Sequence, residues 1–172
     1  MEILDIASKF TLGSHPTSYT ECSDGHINGT YFIDCEKGDR YVLQRINTSV
    51  FKDPDALMRN IVVVTEHISK KIDAAGGDAK RGTLHFIQTK GGQIYYRDEN
   101  GGCWRAYEYV RNVVGYQSAE SPKVFESVGR AFGKFQMQLA DYDVEKLVET
   151  IPDFHNTPAR YRTFEEALAA NT

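Results

Sequence analysis

The sequence predicts an α+β fold in which an antiparallel sheet and one long helix are followed by a group of helices. Short runs rich in β-branched and aromatic residues alternate with turn signals in residues 19–46 and again in 83–111. Apolar residues recur every three or four positions in residues 54–72. From residue 121 onwards the periodicity is helical only. Strands followed by helices favour an α+β fold over a parallel βαβ sheet.

The first elements are a short helix and a three-stranded meander. Apolar spacing over residues 3–12 predicts an amphipathic helix that ends at Gly13. Strands are predicted in three runs, residues 19–23, 30–34 and 40–46. The turn signals Asp24-Gly25 and Lys37-Gly38-Asp39 separate these runs. The three strands are therefore expected to pair as an antiparallel meander.

The long helix has clear signals at both ends. Asp53 and Pro54 supply an N-cap and a first-turn proline, and Gly76-Gly77 follows the last periodic apolar residue, Ile72. Further strands are predicted in three alternating runs, residues 83–89, 93–98 and 103–111. Glycine-containing turns separate these runs, so two or three more strands complete the sheet.

The last third of the chain has helical patterns only. Ser121 and Pro122 supply an N-cap and a first-turn proline for a helix whose apolar residues, between positions 124 and 139, form a wide face. A brief amphipathic piece, a turn and a last helix are predicted at residues 144–149, 151–158 and 163–170. Asp153 or Asn156 is the expected cap of the segment that follows the turn.

This order of elements predicts two structural parts. Residues 1–111 match the N-lobe of a protein-kinase-like fold, with a five- to six-stranded antiparallel sheet and one long helix. Residues 112–172 match the hinge and the first helices of an α-helical C-lobe, so we expect a truncated lobe. We expect the apolar face at residues 124–139 to pack against the rest of the C-lobe. When it is not covered, it is a candidate dimer surface.

The composition excludes several functional classes. With 172 residues, of which 41% are hydrophobic, the chain can bury a core. Its net charge of −4 argues against nucleic-acid or anionic-membrane partners. Residues 1–6 lack the basic start of a signal peptide and no apolar run is long enough to span a membrane, which favours a cytoplasmic protein. The three cysteines form no cluster typical of disulfide frameworks or zinc sites.

The first hairpin is the strongest local pointer to a ligand. In nucleotide kinases a glycine-bearing hairpin covers the phosphates with main-chain N–H groups. We therefore predict that the backbone at Gly25 approaches nucleotide phosphates, and that Asn28 either fixes the turn or offers an amide donor. The alternative is an ordinary hairpin without a ligand.

Five runs of the sequence are informative when they are taken together. They are Gly-His-Ile-Asn-x-Thr-Tyr, Tyr-Val-Leu-Gln-Arg-Ile-Asn-Thr-Ser-Val-Phe, Leu-Met-Arg-Asn, Gly-Gly-Cys-Trp-Arg-Ala-Tyr and Phe-His-Asn-Thr-Pro-Ala-Arg-Tyr. Together they resemble the N-acetylhexosamine 1-kinases, which belong to the aminoglycoside phosphotransferase and choline kinase superfamily. Some relatives carry the label mucin desulfatase. The resemblance covers essentially the whole chain.

The resemblance implies transfer of the γ-phosphate of ATP to the anomeric hydroxyl of GlcNAc or GalNAc, with Mg²⁺ and an aspartate base in the C-lobe. The catalytic loop of such enzymes resembles His-Asn-Asp-x-Lys-x-x-Asn, and a later Ile-Asp-x-Asp segment binds the metal. Neither run occurs in this sequence. The catalytic and metal-binding residues are therefore expected beyond Thr172, and the chain alone is expected to be inactive.

The resemblance also implies a substrate-binding residue. In similar hexosamine kinases the histidine that corresponds to His26 approaches the sugar, and a neutral imidazole can both donate to and accept from sugar hydroxyls. The expected partners are thus a nucleotide and an amino sugar. A solvated turn histidine is the alternative for His26.

The third strand carries a glutamine where protein kinases have a lysine. Period-two alternation places Val42, Gln44 and Ile46 on one face and Arg45 on the other. Gln44 is therefore a predicted phosphate contact that supplies no charge. By the same analogy, the strand that begins at Trp104 leads to the hinge. There Tyr107 would be the gatekeeper, and the backbones of Glu108 and Val110 would contact adenine.

Several alternatives stay open. The chain is also interpretable as a non-catalytic binding or scaffold module derived from a kinase lobe. A third hypothesis keeps the fold and changes the acceptor to choline, an aminoglycoside, homoserine or another sugar. The side-chain roles of Arg45, Asn60 and Glu66 are undecided, although a surface carboxylate is favoured for Glu66 because no lysine is present to pair with it.

Overall fold

A computed structural model describes residues 2–23, 25, 27–116, 118 and 121–170. Within these ranges the chain forms a six-stranded antiparallel sheet, a long helix packed on it and a helical C-terminal part. The strands are β1 (Pro16–Cys22), β2 (Gly29–Cys35), β3 (Arg40–Ile46), β4 (Phe86–Ile87), β5 (Tyr96–Arg97) and β6 (Cys103–Glu108). The helices are α1 (Ile3–Ala7), α2 (Pro54–Ala74), α3 (Ala79–Gly82), α4 (Pro122–Leu139) and α5 (Thr157–Ala169), with a 3₁₀ turn at Val144–Lys146.

The sheet has the strand order β1-β2-β3-β6-β4, and β5 pairs with the other part of β6. All pairs are antiparallel. The α+β class and the β1–β3 meander are therefore confirmed. Strand β3 has the predicted bounds, and it lies between β2 and β6, so both of its edges are paired.

Two predicted strands are much shorter in the structure, and the first helix is shorter as well. Part of the backbone of residues 83–98 hydrogen-bonds outside the sheet ladders. The Gln88 carbonyl accepts from the Thr11 N–H at 2.9 Å, and the Lys90 N–H donates to the Lys9 carbonyl at 2.8 Å. Only two-residue ladders form at β4 and β5. Helix α1 ends at Ala7 because Phe10 pairs with Thr89 in an isolated bridge.

Helix α2 matches its prediction closely. The Asp53 carboxylate accepts a hydrogen bond from the Ala56 N–H at 2.9 Å, which makes Asp53 the N-cap. The helix is followed by Gly76, whose φ of +70° is a conformation that favours glycine. Its buried residues, including Met58 and Ile72, point to the sheet and to α3.

Two hydrophobic layers lie on the two faces of the sheet. One face packs on α1 and contains Leu43 and Trp104, and the other packs on α2 and contains Ile46 and Cys103. All of the described buried apolar residues precede position 107. The three cysteines are free thiols, and Cys35 and Cys103 are buried.

The C-terminal helices are present but differ in detail from their prediction. Ser121 precedes α4 without a side-chain capping bond, and residues 144–149 form only a 3₁₀ turn. Helix α5 begins at residue 157, and the Asn156 side chain accepts from the Ala159 N–H at 3.1 Å, which confirms Asn156 as the cap. None of the helices in the described ranges is both long and apolar enough to cross a membrane.

Candidate functional site

The candidate site lies on the face of the sheet that also carries α2. Thr30 of β2 is directly opposite Gln44 of β3, and Gln44 is directly opposite Arg105 of β6. Opposed residues in an antiparallel pair extend their side chains to the same face. This arrangement confirms the predicted face of Gln44, and it places an arginine beside it.

These three side chains form a directional chain of hydrogen bonds. The Arg105 Nε–H donates to the Gln44 Oε1 at 3.1 Å, and the Gln44 Nε2–H donates to the Thr30 Oγ1 at 3.0 Å. The Thr30 hydroxyl in turn donates to the Asn28 carbonyl at 3.3 Å. The chain of donors therefore leads from β6 across the sheet to the first hairpin.

Asn28 fixes the hairpin to the end of β3. Its side-chain Oδ1 accepts a hydrogen bond from the Asn47 N–H at 3.0 Å. Of the two roles that the sequence left open for Asn28, the structure therefore contains the turn-fixing one. Its Nδ2 group makes no hydrogen bond within the described part of the chain.

The Gly25 backbone lies over the end of this polar chain. A Cβ atom added to Gly25 would lie 3.8 Å from the Asn28 carbonyl oxygen and 4.0 Å from the Thr30 Oγ1. These are ordinary contact distances, so the structure brings Gly25, Asn28 and Gln44 together without requiring glycine at position 25. The predicted sugar contact, His26, lies outside the described residues.

Arg105 is the functional candidate that sequence reasoning missed. Its guanidinium lies 5.8 Å from the centre of the Phe86 ring, and its Nη1 is 4.0 Å from the Met58 Sδ. Burial lowers the pKa of Arg105, and Tyr107 offsets only part of this effect. Within the described ranges, no carboxylate forms an ion pair with it.

An apolar stretch connects this polar group to the predicted hinge. Val42 is opposite Phe32 on one side and opposite Tyr107 on the other, so the three side chains share the face of Gln44. The Tyr107 ring also packs on Phe86, at 5.4 Å between ring centres. Burial raises the pKa of the Tyr107 hydroxyl. An aromatic ring placed here would therefore lie in apolar surroundings.

The two predicted hinge residues are at the other end of β6. Glu108 is three residues from Arg105, which is about 10 Å along an extended strand. The Glu108 N–H donates to the His85 carbonyl at 3.0 Å. The Val110 N–H makes no hydrogen bond to another described residue. The site thus has a polar, cationic end and a backbone end with an apolar stretch between them.

The residues whose roles the sequence left undecided lie outside this face. Arg45 is on the opposite face, where its guanidinium lies 5.8 Å from the Trp104 ring. Glu66 is exposed on α2, beside a cavity of about 190 Å³ between α2 and β4. Asn60 holds the Val148 backbone, as donor to its carbonyl at 2.7 Å and as acceptor from its N–H at 3.1 Å.

The described residues contain no group of three or more metal-ligating side chains close enough to hold an ion. The hairpin, the neutral Gln44 and the half-buried Arg105 can hold an anionic group at one end of β6, and the apolar stretch beside them can hold an aromatic ring whose edge reaches the backbone end, about 10 Å from Arg105. The described side chains that form it, Asn28, Thr30, Gln44 and Arg105, include no general base.

No family model matches the chain. Solved structures nevertheless share its fold. An aminoglycoside phosphotransferase from Alicyclobacillus acidocaldarius superposes with a TM-score of 0.63 at 16% identity, over 99% of this chain and 44% of that one. The amicoumacin kinase hAmiN, in complex with AMP-PNP, Ca²⁺ and Ami, superposes with a TM-score of 0.57 at 18% identity, over 84% of this chain and 41% of that one.

These likenesses establish the fold, which is the α+β, N-lobe-like part of a kinase-like structure. The chain spans less than half of the length of either of these structures.

Proposed function

We propose that this chain is the N-terminal part of an ATP-dependent kinase that phosphorylates the anomeric hydroxyl of N-acetylhexosamines. The observation that carries the kinase part of the proposal is the hydrogen-bond chain from Arg105 through Gln44 and Thr30 to the glycine hairpin. It provides a polar, cationic surface below a backbone loop, as phosphates require. The sugar part rests on the sequence resemblance.

In this proposal the nucleotide lies along one face of the sheet. The backbone at Gly25 and the amide of Asn28 meet the phosphates, and Gln44 lies below them. The adenine ring packs on the apolar stretch around Val42, and its polar edge meets the Glu108 carbonyl and the Val110 N–H. His26 is proposed to contact the sugar.

The chain supplies the nucleotide-covering half of the site. Mg²⁺ would neutralise the phosphates during transfer, but the described residues do not form a site for it. We propose that its ligands and the general base belong to the C-lobe, of which residues 112–172 provide the first helices. The chain alone would then bind nucleotide weakly and transfer no phosphate.

A second acceptor class is favoured by one observation. One superposing structure is an aminoglycoside phosphotransferase and another is an amicoumacin kinase. An aminoglycoside or an amicoumacin-like compound is therefore the main rival acceptor, and choline or homoserine are further ones. A non-catalytic module is the alternative from another class.

The test is an ATP-turnover assay on the protein expressed from the uninterrupted reading frame. The acceptor panel contains GlcNAc, GalNAc, the methyl glycoside of GlcNAc, choline, homoserine and kanamycin. We expect turnover with GlcNAc or GalNAc. The methyl glycoside is the matched control, since its anomeric oxygen is blocked and it should not be phosphorylated.

Turnover with kanamycin alone would replace the sugar proposal with an antibiotic one and leave the kinase proposal in place. No turnover with any acceptor, together with no binding of ATP, would support the non-catalytic module. The 172-residue chain serves as a further sample. Reproducible phosphorylation of GlcNAc by this chain would contradict the proposal that the base lies in the C-lobe.

A further inference from the structure

Arg105 carries a charge that its surroundings do not balance. It is one of two half-buried arginines among the described residues, and the other, Arg40, lies 3.3 Å from the Asp34 carboxylate. The described neighbours of Arg105 are instead an amide, a thioether and an aromatic ring. A buried charge without an opposite charge is costly, so such a group is typically retained where an anion binds.

The neighbours of Arg105 also leave most of its donors available. A guanidinium has five N–H groups in a planar fork. The Gln44 Oε1 takes the Nε–H, and the Met58 sulfur is a weak acceptor at 4.0 Å from Nη1. The Nη2 group makes no hydrogen bond to a described residue. The Gln44 contact thus fixes the plane of the fork while its outer edge stays free for bidentate binding of a phosphate.

The position of Arg105 on the sheet indicates that its ligand is a phosphate group. Gln44 occupies the place on β3 where protein kinases have a phosphate-binding lysine, and Arg105 is directly opposite on the neighbouring strand. Directly opposed residues have Cβ atoms about 5 Å apart. An arginine is longer than a lysine, so it can reach the same anion from one strand further away.

We propose that Arg105 supplies the cationic contact to the nucleotide phosphates that a lysine on β3 would otherwise make, and that Gln44 holds its guanidinium in place. This inference rests on the proposed function, because it assumes that this face binds a nucleotide. The positive charge of the site is thus on β6 instead of β3. Arg105 supplies the charge and Gln44 orients it, whereas in protein kinases one lysine on β3 makes this contact.

The experiment measures ADP and adenosine binding by calorimetry on the protein from the uninterrupted reading frame. The difference between the two affinities isolates the phosphate contacts. Arg105→Met is expected to weaken ADP binding by about tenfold or more, as the loss of a charge-assisted hydrogen bond predicts. Adenosine binding should change less than about twofold, since the apolar stretch is untouched.

The decisive variant is the double substitution Gln44→Lys with Arg105→Met, which moves the charge back to β3. It should recover most of the lost ADP affinity, whereas a purely structural Arg105 would not be rescued by a lysine on another strand. Arg97→Met is the matched control. Arg97 is exposed on β5, donates to the Tyr95 hydroxyl at 3.0 Å and should leave both affinities unchanged.

Each outcome bears on one proposal. If the unchanged protein binds neither ADP nor adenosine, the proposed function fails. If it binds ADP and Arg105→Met binds ADP equally well, this inference is overturned while the proposed function stands. Equal weakening of ADP and adenosine, or no rescue by Gln44→Lys, also overturns it. Should Arg105→Met fail to fold, Arg105→Gln, which can still hydrogen-bond Gln44, replaces it in both arms.

Discussion

The sheet part and the helical part of this chain contain similar apolar residues but bury them very differently. The sheet and helices α1 to α3 enclose all of the described buried apolar residues, such as Phe10, Met58 and Trp104. Residues 121–170 contain none, although α4 exposes Phe132 to 67% and Phe125 to 65%. Helical periodicity thus predicts that one face of a helix is apolar. Whether that face is buried depends on whether another part of the protein packs against it.

Phe10 and Phe132 allow the most direct test of this difference in burial, because the same substitution, Phe→Ala, can be made in both parts. Phe10 is 1% exposed. Phe10→Ala in the 172-residue chain should therefore lower the free energy of unfolding by about 3–5 kcal/mol through lost burial and a cavity. Phe132→Ala should change it by less than about 0.5 kcal/mol.

The measurement is urea unfolding followed by the fluorescence of Trp104, the single tryptophan, which lies in the sheet core. A loss above about 2 kcal/mol for Phe132→Ala would mean that α4 is covered in solution, for instance by a second copy of the chain. Repeating the pair in the protein from the uninterrupted reading frame tests the proposed C-lobe. There Phe132→Ala should become destabilising.

Local signals were enough to predict the main elements of the sheet part. Period two in residues 40–46 and the Asp53-Pro54 start of α2 are encoded within a few neighbouring residues, and both are confirmed. The lengths of β4 and α1 were predicted wrongly because the bridge between Phe10 and Thr89 joins residues 79 positions apart, and no local pattern encodes it.

Asp98 organises a turn in the sheet part, and its removal should have an intermediate effect. Its carboxylate accepts from the Trp104 indole N–H at 2.7 Å and from the Gly102 and Asn100 N–H groups at 2.8 and 2.9 Å. Asp98→Ala leaves the buried indole without an acceptor. We expect a loss of about 1–3 kcal/mol in the free energy of unfolding, measured by the same urea titration.

The pH dependence of this effect has a definite sign. The Trp104 hydrogen bond, followed by those from Gly102 and Asn100, holds the pKa of Asp98 below its usual value of 3.8. A carboxyl whose pKa is lower in the folded state stabilises the fold fully above its unfolded pKa, and this contribution is lost as the pH falls through the folded pKa.

The unchanged chain should therefore lose its advantage in free energy of unfolding over Asp98→Asn as the pH falls below 3.8. Asp143→Ala is the matched control, because Asp143 caps the exposed 3₁₀ turn in the helical part and should cost little. A constant difference across the acid range would contradict the charge-based explanation.

The candidate site shows which features a single sequence can and cannot reveal. Alternation alone placed Gln44 and Arg45 on opposite faces of β3, and this placement is confirmed. Arg105 was missed although it lies between the buried residues Trp104 and Ala106. Its predicted role depends on the hydrogen bond to Gln44, 61 residues earlier in the chain, and on the absence of a carboxylate partner among the described residues. No local pattern encodes either feature.

Asn60 links the two parts, and its removal should have the smallest effect on overall stability. Its side-chain amide makes two hydrogen bonds with the Val148 backbone, 88 residues away. Nearby, the Asp141 carboxylate accepts from Lys71 and lies 3.2 Å from the His67 Nε2. These polar contacts, together with the packing of the Tyr142 ring on His67, join α2 to the segment that follows α4.

Asn60→Ala should release the Val148 segment while the sheet part stays folded. The Val148 N–H loses its acceptor, so its hydrogen exchange should accelerate about fivefold, equivalent to roughly 1 kcal/mol for a hydrogen bond. The exchange of β3 amides should not change, since that core does not involve residue 148. Asn156→Ala is the matched control, as it removes a cap in the same part without touching α2. Equal acceleration in β3 and at Val148 would show that the two parts unfold as one unit, and the contrast between them would then describe burial only and not independent stability.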